Sequence, residues 1–247
     1  MTAGMERCRC EAILLGGGDY RESDRLVTLL TLEQGKLRGI ARGAKRSLKR
    51  FGGTLETFAR LRVEIEVKSG LSRLLGADAV TIFPGIRGDL RKIGAAGYAC
   101  EAVDHLLPEA LPNPRLFRLL AAYLERLDLF PPSPSDRRFF EINFLNILGY
   151  RPALEQCGSC GTDLSLLPGC RAGNGGDLLC AGCGRGGRPI STATVNLLKG
   201  ALRTGRFGVI EFSPEGLAEA GHILDPAMAA HTGRPLKSLA FLRELGE

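Results

Sequence analysis

The sequence predicts an α+β protein in which a small β-barrel precedes a helical bundle that is interrupted by a cysteine-rich module. Between Leu61 and Lys68, apolar and charged residues alternate with the period of two that is typical of a half-buried strand. After Pro84 the apolar residues recur three or four positions apart, as they do on one face of a helix. Two Cys-x-x-Cys pairs lie within this second region. These observations predict strands first, helices second and a metal-binding insertion.

Five short segments before residue 84 have the pattern of strands. The first is expected to end at three consecutive glycines, Gly16 to Gly18, and the next two to form a hairpin in which Gly35 supplies a positive φ. The last two flank a turn at Ser69 and Gly70. The predicted strands cover residues 11–15, 24–32, 36–43, 61–67 and 71–83. Five short strands suit a barrel of the OB type, so we expect residues 1–83 to form an OB-fold domain.

Residues 84–247 are expected to form a helical domain with six helices. Asn113 caps one helix and is followed by a proline at the first helical position, and Ser133 or Ser135 caps the next. A helix that begins after Ser213 is expected to break at Pro226, because an internal proline removes a backbone N–H and clashes with the preceding turn. The predicted helices begin near residues 90, 114, 134, 192, 214 and 236.

Positive charge is concentrated in one part of the chain. Residues 36–92 contain 14 Lys or Arg against 5 Asp or Glu, whereas the formal charge of the whole chain is only +6. Seven cations and no acid lie between Gly35 and Phe51. Because like charges repel and no carboxylate of the segment neutralises them, we expect an anionic partner, and nucleic acid is the one we favour. A solvated charged loop, an acidic membrane surface and an acidic protein are the alternatives.

The cations of this segment and of the preceding turn are the candidate nucleic-acid ligands. Those expected to neutralise phosphates are Arg38, Arg42, Lys45, Arg46, Lys49 and Arg50, with Lys36, Arg21 and Arg25 in support. Tryptophan is absent, and only Phe51, Phe58 and Tyr20 are near enough in sequence to stack on bases. We therefore expect binding that depends on counterion release and has no sequence specificity.

The cysteine pairs predict a structural zinc site. Cys157 and Cys160 are followed, after 19 residues, by Cys180 and Cys183, a spacing that lets four thiolates surround one tetrahedral Zn²⁺. The segment between the pairs has too few apolar residues for a core, so metal binding is expected to order a module over residues 151–190. Cys170 is either a substitute ligand or a small apolar residue. The remaining thiols, Cys8, Cys10 and Cys100, are expected to pack in the interior.

The motifs of several enzyme classes are missing from the sequence. Arg21 stands where a dinucleotide fingerprint beginning at Gly16 requires glycine, and neither a Walker-type phosphate loop nor an H-x-E deaminase motif occurs. Asp19, Glu22 and Asp24 form either a metal-dependent nuclease site or, as we expect, salt bridges that position the basic face. We therefore expect a protein that is not an enzyme.

Neither a membrane span nor a secretory signal is expected. No apolar run approaches the roughly 18 residues that a membrane span needs, and the first residues lack the apolar core of a signal peptide. We therefore expect a cytoplasmic, nucleoid-associated protein that does not bind membranes. Thiols stay reduced in the cytoplasm, which favours metal over disulfides.

Long segments of the chain also resemble a known family. Residues 19–58, 83–109, 113–128, 139–152 and 233–242, together with the cysteine pairs, are similar to the bacterial recombination mediator family RecO, whereas an extension over residues 1–8 departs from its pattern. The resemblance implies an OB-fold domain followed by a helical domain with a zinc module. It also implies binding of single- and double-stranded DNA, annealing of complementary strands, and partnership with RecR and RecF.

The resemblance further implies a role in loading RecA onto DNA that is coated by the single-strand binding protein SSB. An alternative is a partner-docking scaffold, in which the helical domain is the main functional surface and binds RecR and the acidic C-terminal tail of SSB. The OB-fold domain would then act as a support that binds DNA only weakly.

Overall fold

A computed structural model describes residues 6–245 of the chain, which divide into two compact units. One unit holds the chain up to Pro131 together with the segment that begins at Leu236, and the other runs from Pro132 to Pro235. Residues 1–5 of the N-terminal extension lie outside the described part. The strands precede the helices, so the predicted α+β class and its order of elements are confirmed.

The first unit contains a closed five-stranded barrel. Its strands follow the order β1-β2-β3-β5-β4 around the barrel, and β4 closes the ring against β1. All neighbouring strands are antiparallel except β3 and β5, which are parallel. This is the OB-like architecture that the sequence predicts. The strands are β1 (Glu6–Tyr20), β2 (Asp24–Thr31), β3 (Gly35–Ala41), β4 (Arg60–Val67) and β5 (Ser72–Thr81).

Strand β1 is much longer than predicted, because the three glycines lie inside it. Its first half pairs with β4 and its second half with β2, with an irregularity between Leu14 and Gly16. A Cβ atom on Gly17 would lie 2.5 Å from the carbonyl oxygen of Leu26 on the neighbouring strand. Only glycine permits this close approach, so the expectation that the glycines end the strand is wrong.

Alternate residues of the strands fill the barrel with apolar side chains. Cys10, Ala12 and Leu14 of β1 are buried against Leu29 of β2 and Leu61 of β4, among others. Burial raises the pKa of the Cys10 thiol to about 12, so this cysteine stays protonated and acts as a small apolar residue, as predicted.

The first unit also contains helices, one between β3 and β4 in the chain and the rest after β5. They are α1 (Leu48–Phe51), α2 (Pro84–Arg87), α3 (Leu90–Leu106), α4 (Pro114–Leu129) and α8 (Lys237–Glu244). The side chains of Asp89 and Asn113 cap the N-termini of α3 and α4 by accepting hydrogen bonds from backbone N–H groups of the first turn. Helix α8 lies against α3, where the Glu101 carboxylate accepts hydrogen bonds from the backbone of Lys237 and Ser238.

Helix α3 is joined to the barrel by a buried lysine. Lys36 on β3 is only 5% exposed, and its Nζ donates to the backbone oxygen of Asp104 and lies 3.2 Å from that residue's carboxylate. Arg60 on β4 contacts Glu125 on α4 at 3.0 Å. The barrel and these helices therefore pack as one unit. Because packing in the intact chain does not reveal which segment folds alone, the domain boundary at 83/84 stays a prediction.

The second unit is a three-helix bundle with a small sheet. Its elements are β6 (Gly169–Ala172), β7 (Leu178–Leu179), β8 (Arg188–Ser191), α5 (Pro134–Leu148), α6 (Thr192–Thr204) and α7 (Pro214–Thr232). A short 3₁₀ helix covers Leu164–Leu166, and the sheet has the order β7-β6-β8. Ser133, Ser191 and Ser213 cap the three helices.

Helix α7 continues through Pro226, so the predicted break is wrong. Tertiary packing holds the helix on both sides of the proline, since Leu224 and Ala227 are buried. Asp225 also accepts a hydrogen bond at 2.5 Å from the buried guanidinium of Arg138 on α5, which contacts Glu141 at 2.7 Å. These contacts offset the hydrogen bond that proline cannot make.

Within residues 6–245, no helix combines the length and the apolar content that crossing a bilayer requires.

The Lys36 contact makes a stability prediction. Replacing Lys36 with alanine leaves Asp104 without its charge partner and should lower the free energy of unfolding by about 1 to 3 kcal/mol. Urea unfolding followed by circular dichroism measures the change. Arg38→Ala is the matched control, because Arg38 lies on the same strand in an exposed ion pair with Glu109 and should cost less than about 1 kcal/mol. Equal losses in the two variants would contradict a structural role for Lys36.

Candidate metal centre and nucleic-acid interface

The four predicted cysteine ligands come together at one point of the second unit. The sulfur atoms of Cys157, Cys160, Cys180 and Cys183 all lie within 4.8 Å of one another. The Sγ atoms of Cys160 and Cys180 are 3.8 Å apart. Tetrahedral coordination with metal–sulfur bonds of about 2.3 Å places neighbouring sulfurs about 3.8 Å apart. The cluster therefore has the dimensions of a four-thiolate metal site and could hold a metal ion.

Hydrogen-bond donors around the cluster favour ionised sulfur at Cys157 and Cys160, whereas the pKa of Cys183 is raised to about 11, because the lowering by Ser159 is outweighed by hydrogen bonds with the other cysteines. The N–H of Cys180 donates to Cys157 Sγ at 3.3 Å and, with other backbone N–H groups, lowers the pKa of Cys157 to about 6. The Thr162 hydroxyl lies 3.1 Å from Cys160 Sγ and lowers the pKa of that thiol as well. Thiolates are the form that binds metals. With four thiolates and no carboxylate or histidine, the donor set leaves no open coordination position and is typical of structural zinc.

The metal-binding turns are part of the packed second unit. The N–H of Gly158 donates to Leu178 of β7 at 2.8 Å, which connects the first turn to the small sheet. The hairpin that precedes the second turn lies directly on α7, because a Cβ on Gly176 would meet the backbone oxygen of Ile223. Cys170 lies outside the cluster, buried on β6 with Sγ directed toward the oxygen of Ile190. Of its two predicted roles, this placement favours the small apolar residue.

Two of the nine predicted nucleic-acid ligands have structural positions instead. Lys36 is buried against α3, so its ammonium cannot reach a phosphate on the surface. Arg25 is half-buried and donates from Nη1 to the backbone oxygen of Leu55 at 2.7 Å. Of the three aromatic residues near the basic segment, Phe51 and Phe58 are buried and cannot stack on bases. Tyr20 remains exposed.

Several other predicted cations are paired with acids from distant parts of the chain. Lys45 lies 2.6 Å from Asp19, Arg46 lies 3.3 Å from Glu22, and Arg38 lies 3.1 Å from Glu109. The Lys45 ammonium lowers the pKa of the Asp19 carboxyl. The folded chain therefore brings to these cations carboxylates that the basic segment itself lacks.

Two of the three acids around the β1–β2 turn, Asp19 and Glu22, are therefore partners of basic residues, as expected. Asp19 and Glu22 form the ion pairs described above, and Asp24 accepts a hydrogen bond from the backbone of Gly43 at 2.8 Å. The cysteine quartet is the one metal-type cluster within the described part of the chain, and it contains none of these acids. This arrangement gives no support to the nuclease alternative.

A cationic groove, here called the front groove, crosses one end of the barrel. The β1–β2 turn, the end of β3 and the β4–β5 turn form its walls and enclose a cleft of about 280 Å³. This is the position at which OB folds bind oligonucleotides. The lining contains four cations and no carboxylate: Tyr20, Arg21, Ile40, Arg42, Lys68, Leu71 and Arg73.

The front groove combines predicted and unpredicted residues. Arg21 and Arg42 are among the candidates from the sequence, whereas Lys68 in the β4–β5 turn and Arg73 at the start of β5 were missed. Tyr20 and Leu71 are 38% and 47% exposed, and the Arg21 guanidinium lies 5.2 Å from the centre of the Tyr20 ring. The groove therefore offers positive charge together with an aromatic and an aliphatic surface, which suits a sugar-phosphate chain and its bases.

The cysteine cluster predicts metal in the purified protein. We expect close to one zinc ion per chain by elemental analysis, with less metal retained as the pH falls, because protons compete for the thiolates. Cys157→Ser should lose metal and solubility. The control Cys170→Ala should keep its metal, since Cys170 Sγ lies outside the cluster. If the protein stripped of its metal unfolds at the same temperature as the purified, metal-containing protein, the metal has no structural role and the prediction is wrong.

Comparisons with known proteins agree with the geometry. Residues 5–83 match the family model described as the N-terminal part of recombination protein O, and residues 87–240 match the model of its C-terminal part. Similar proteins named DNA repair protein RecO occur in Geobacter metallireducens and Geobacter sulfurreducens, each 59% identical over 98% of this chain and 99% of the relative. A RecO of Myxococcus xanthus is 40% identical over 98% of this chain and 99% of its own length. The chain belongs to the RecO family of recombination proteins.

Proposed function

We propose that this protein is a DNA-binding recombination mediator without catalytic activity. Membership of the RecO family supports a role in DNA repair and recombination. The proposal goes further: the protein binds single- and double-stranded DNA, anneals complementary strands and, with RecR, helps to load RecA onto SSB-coated single strands. The observation that carries it is the front groove, in which four cations line an OB-type cleft that contains no acid.

The chemistry of the groove supports binding without sequence specificity. Its polar groups are the guanidinium and ammonium groups of Arg21, Arg42, Lys68 and Arg73 and the Tyr20 hydroxyl. Asparagine and glutamine, which pair with base edges, are missing from the lining. The guanidinium and ammonium groups bind phosphates, which are the same in every sequence. Base stacking is limited to Tyr20.

The ion pairs beside the groove do not oppose DNA binding. Arg46 and Glu22 are exposed, as are Arg38 and Glu109. Exposed ion pairs contribute little to stability because water screens both charges. A phosphate can therefore replace the carboxylate at small cost. We propose that Arg38, Lys45 and Arg46 exchange partners in this way when DNA is bound.

A cavity in the second unit favours partner docking as an additional function. Leu154, Leu164 and Val195 line a space of about 130 Å³ together with Lys199 of α6. An apolar side chain can fill such a space while the lysine attracts a carboxylate. These features suit the acidic C-terminal tail of SSB, which we propose as its ligand.

The front groove predicts a strong dependence of DNA binding on salt. If four to six phosphates are neutralised, at about 0.7 per phosphate on a single strand, the logarithm of the affinity for oligothymidine should fall against the logarithm of salt with a slope of about −3 to −4. Arg42→Ala with Arg73→Ala should reduce that slope by about 1.4 and weaken binding at low salt, because two phosphate contacts are lost. Fluorescence anisotropy of a labelled oligonucleotide measures both effects.

A matched control separates the groove from net charge. Arg115 and Arg118 are exposed on α4 and do not line the groove. Replacing both with alanine removes the same charge and should change the slope little. A salt-independent affinity, or equal losses in the two double variants, would contradict the proposed site.

The cavity beside Lys199 makes a separate prediction. Lys199→Glu should weaken binding of a fluorescent peptide with the sequence of the SSB tail by about tenfold, a loss of about 1.4 kcal/mol. Arg203→Glu is the control, because Arg203 lies exposed on the same helix and does not line the cavity. Peptide binding that responds equally to both substitutions, or to neither, would place the tail elsewhere.

A further inference from the structure

A second cationic groove lies on another part of the barrel wall. Arg9 near the start of β1, Arg62 on β4, and Lys49 and Arg50 on α1 line a cleft of about 280 Å³ together with part of β5. Two acids, Glu64 and Asp78, also line it. The front groove uses the ends of β1 and β3 and the start of β5. The two grooves therefore use different parts of β1 and β5 and have no lining residue in common.

The charge of this second groove is positive despite the two acids. Glu64 is engaged by Arg7, whose Nη2 lies 2.6 Å from the carboxylate and which is not one of the lining residues. Within residues 6–245, no ion pair involves Arg9, Lys49 or Arg62. Asp78 lies opposite Arg62 in the β4–β5 register and is the one lining acid not engaged by Arg7. The groove therefore contains four cations and only one carboxylate to which Arg7 does not bind, that of Asp78.

One basic segment borders both grooves. Arg42 lines the front groove, whereas Lys49 and Arg50 line the second. The two sides are directly connected, because Arg50 Nη2 donates to the backbone oxygen of Arg42 at 2.9 Å and Arg50 Nε donates to Ser47 Oγ at 3.1 Å. Residues 42–50 therefore form a cationic segment, here called the ridge, whose two ends line the two clefts.

We propose that the second groove holds another single strand of nucleic acid, so that one molecule binds two strands at once on either side of the ridge. This inference rests on the proposed function, since it requires the front groove to hold the first strand. Two polyanions repel each other, and cations between them lower that repulsion. A ridge flanked by two grooves can therefore hold two strands close together while leaving their bases free to pair. The arrangement gives a physical basis for annealing.

The test uses the full-length protein and two non-complementary oligonucleotides. Native mass spectrometry counts strands per chain, and we expect complexes of one chain with two strands. Arg9→Ala with Arg62→Ala should reduce this to one strand and slow the annealing of complementary oligonucleotides about tenfold, while the affinity for the first strand changes less than about twofold. Arg115→Ala with Arg118→Ala is the charge-matched control and should behave as the unmodified protein.

Each outcome decides between the second groove and the alternatives. One strand per unmodified chain, or two strands only in complexes of two chains, overturns the proposal. So does an Arg9/Arg62 variant that still holds two strands, or one that loses the first strand as strongly as the Arg42/Arg73 variant does, because that result indicates one continuous site. If the unmodified protein binds no strand at all, the proposed function itself fails. Circular dichroism shows whether each variant folds. Lys49→Gln, at an exposed position that lines the second groove, is a second variant for the same test.

Discussion

The closure of the barrel by strand β1 is the constraint on which the candidate interface depends. This strand pairs with β4 along its first half and with β2 along its second half, so it must pass very close to its neighbour. Gly17 makes that possible, because any side chain there would collide with the carbonyl oxygen of Leu26. Closure places the β1–β2 turn beside the end of β3 and the β4–β5 turn, and the front groove is the space between them.

The distribution of charge around the barrel follows from the same closure. Cations at one end of β3 are used for structure, with Lys36 buried against Asp104. Cations at the other end, such as Arg42, lie in the groove without a nearby acid in its lining. The basic segment is therefore not one uniform patch. It binds helix α3 at one end, forms exposed ion pairs with distant acids, and contributes cations to the lining of the two clefts.

The sequence predicts features whose cause is local. The period of two identifies β4, turn residues indicate where β2, β3 and β5 lie, capping residues identify helix starts, and the spacing of the cysteines identifies the metal cluster. Each of these patterns can be read in a short stretch of sequence. Features with a distant cause were missed. The partner of Lys36 lies 68 residues away, and Lys68 and Arg73 join the front groove only through strand pairing. Pro226 stays helical because α5 supports α7, which no local rule describes.

The most direct measurement of the central claim is a crystal structure of the protein with a bound oligothymidine. The account predicts phosphate groups within hydrogen-bonding distance of Arg42 and Arg73, with a base against Tyr20. An oligonucleotide bound elsewhere, with the front groove filled only by water, would contradict it.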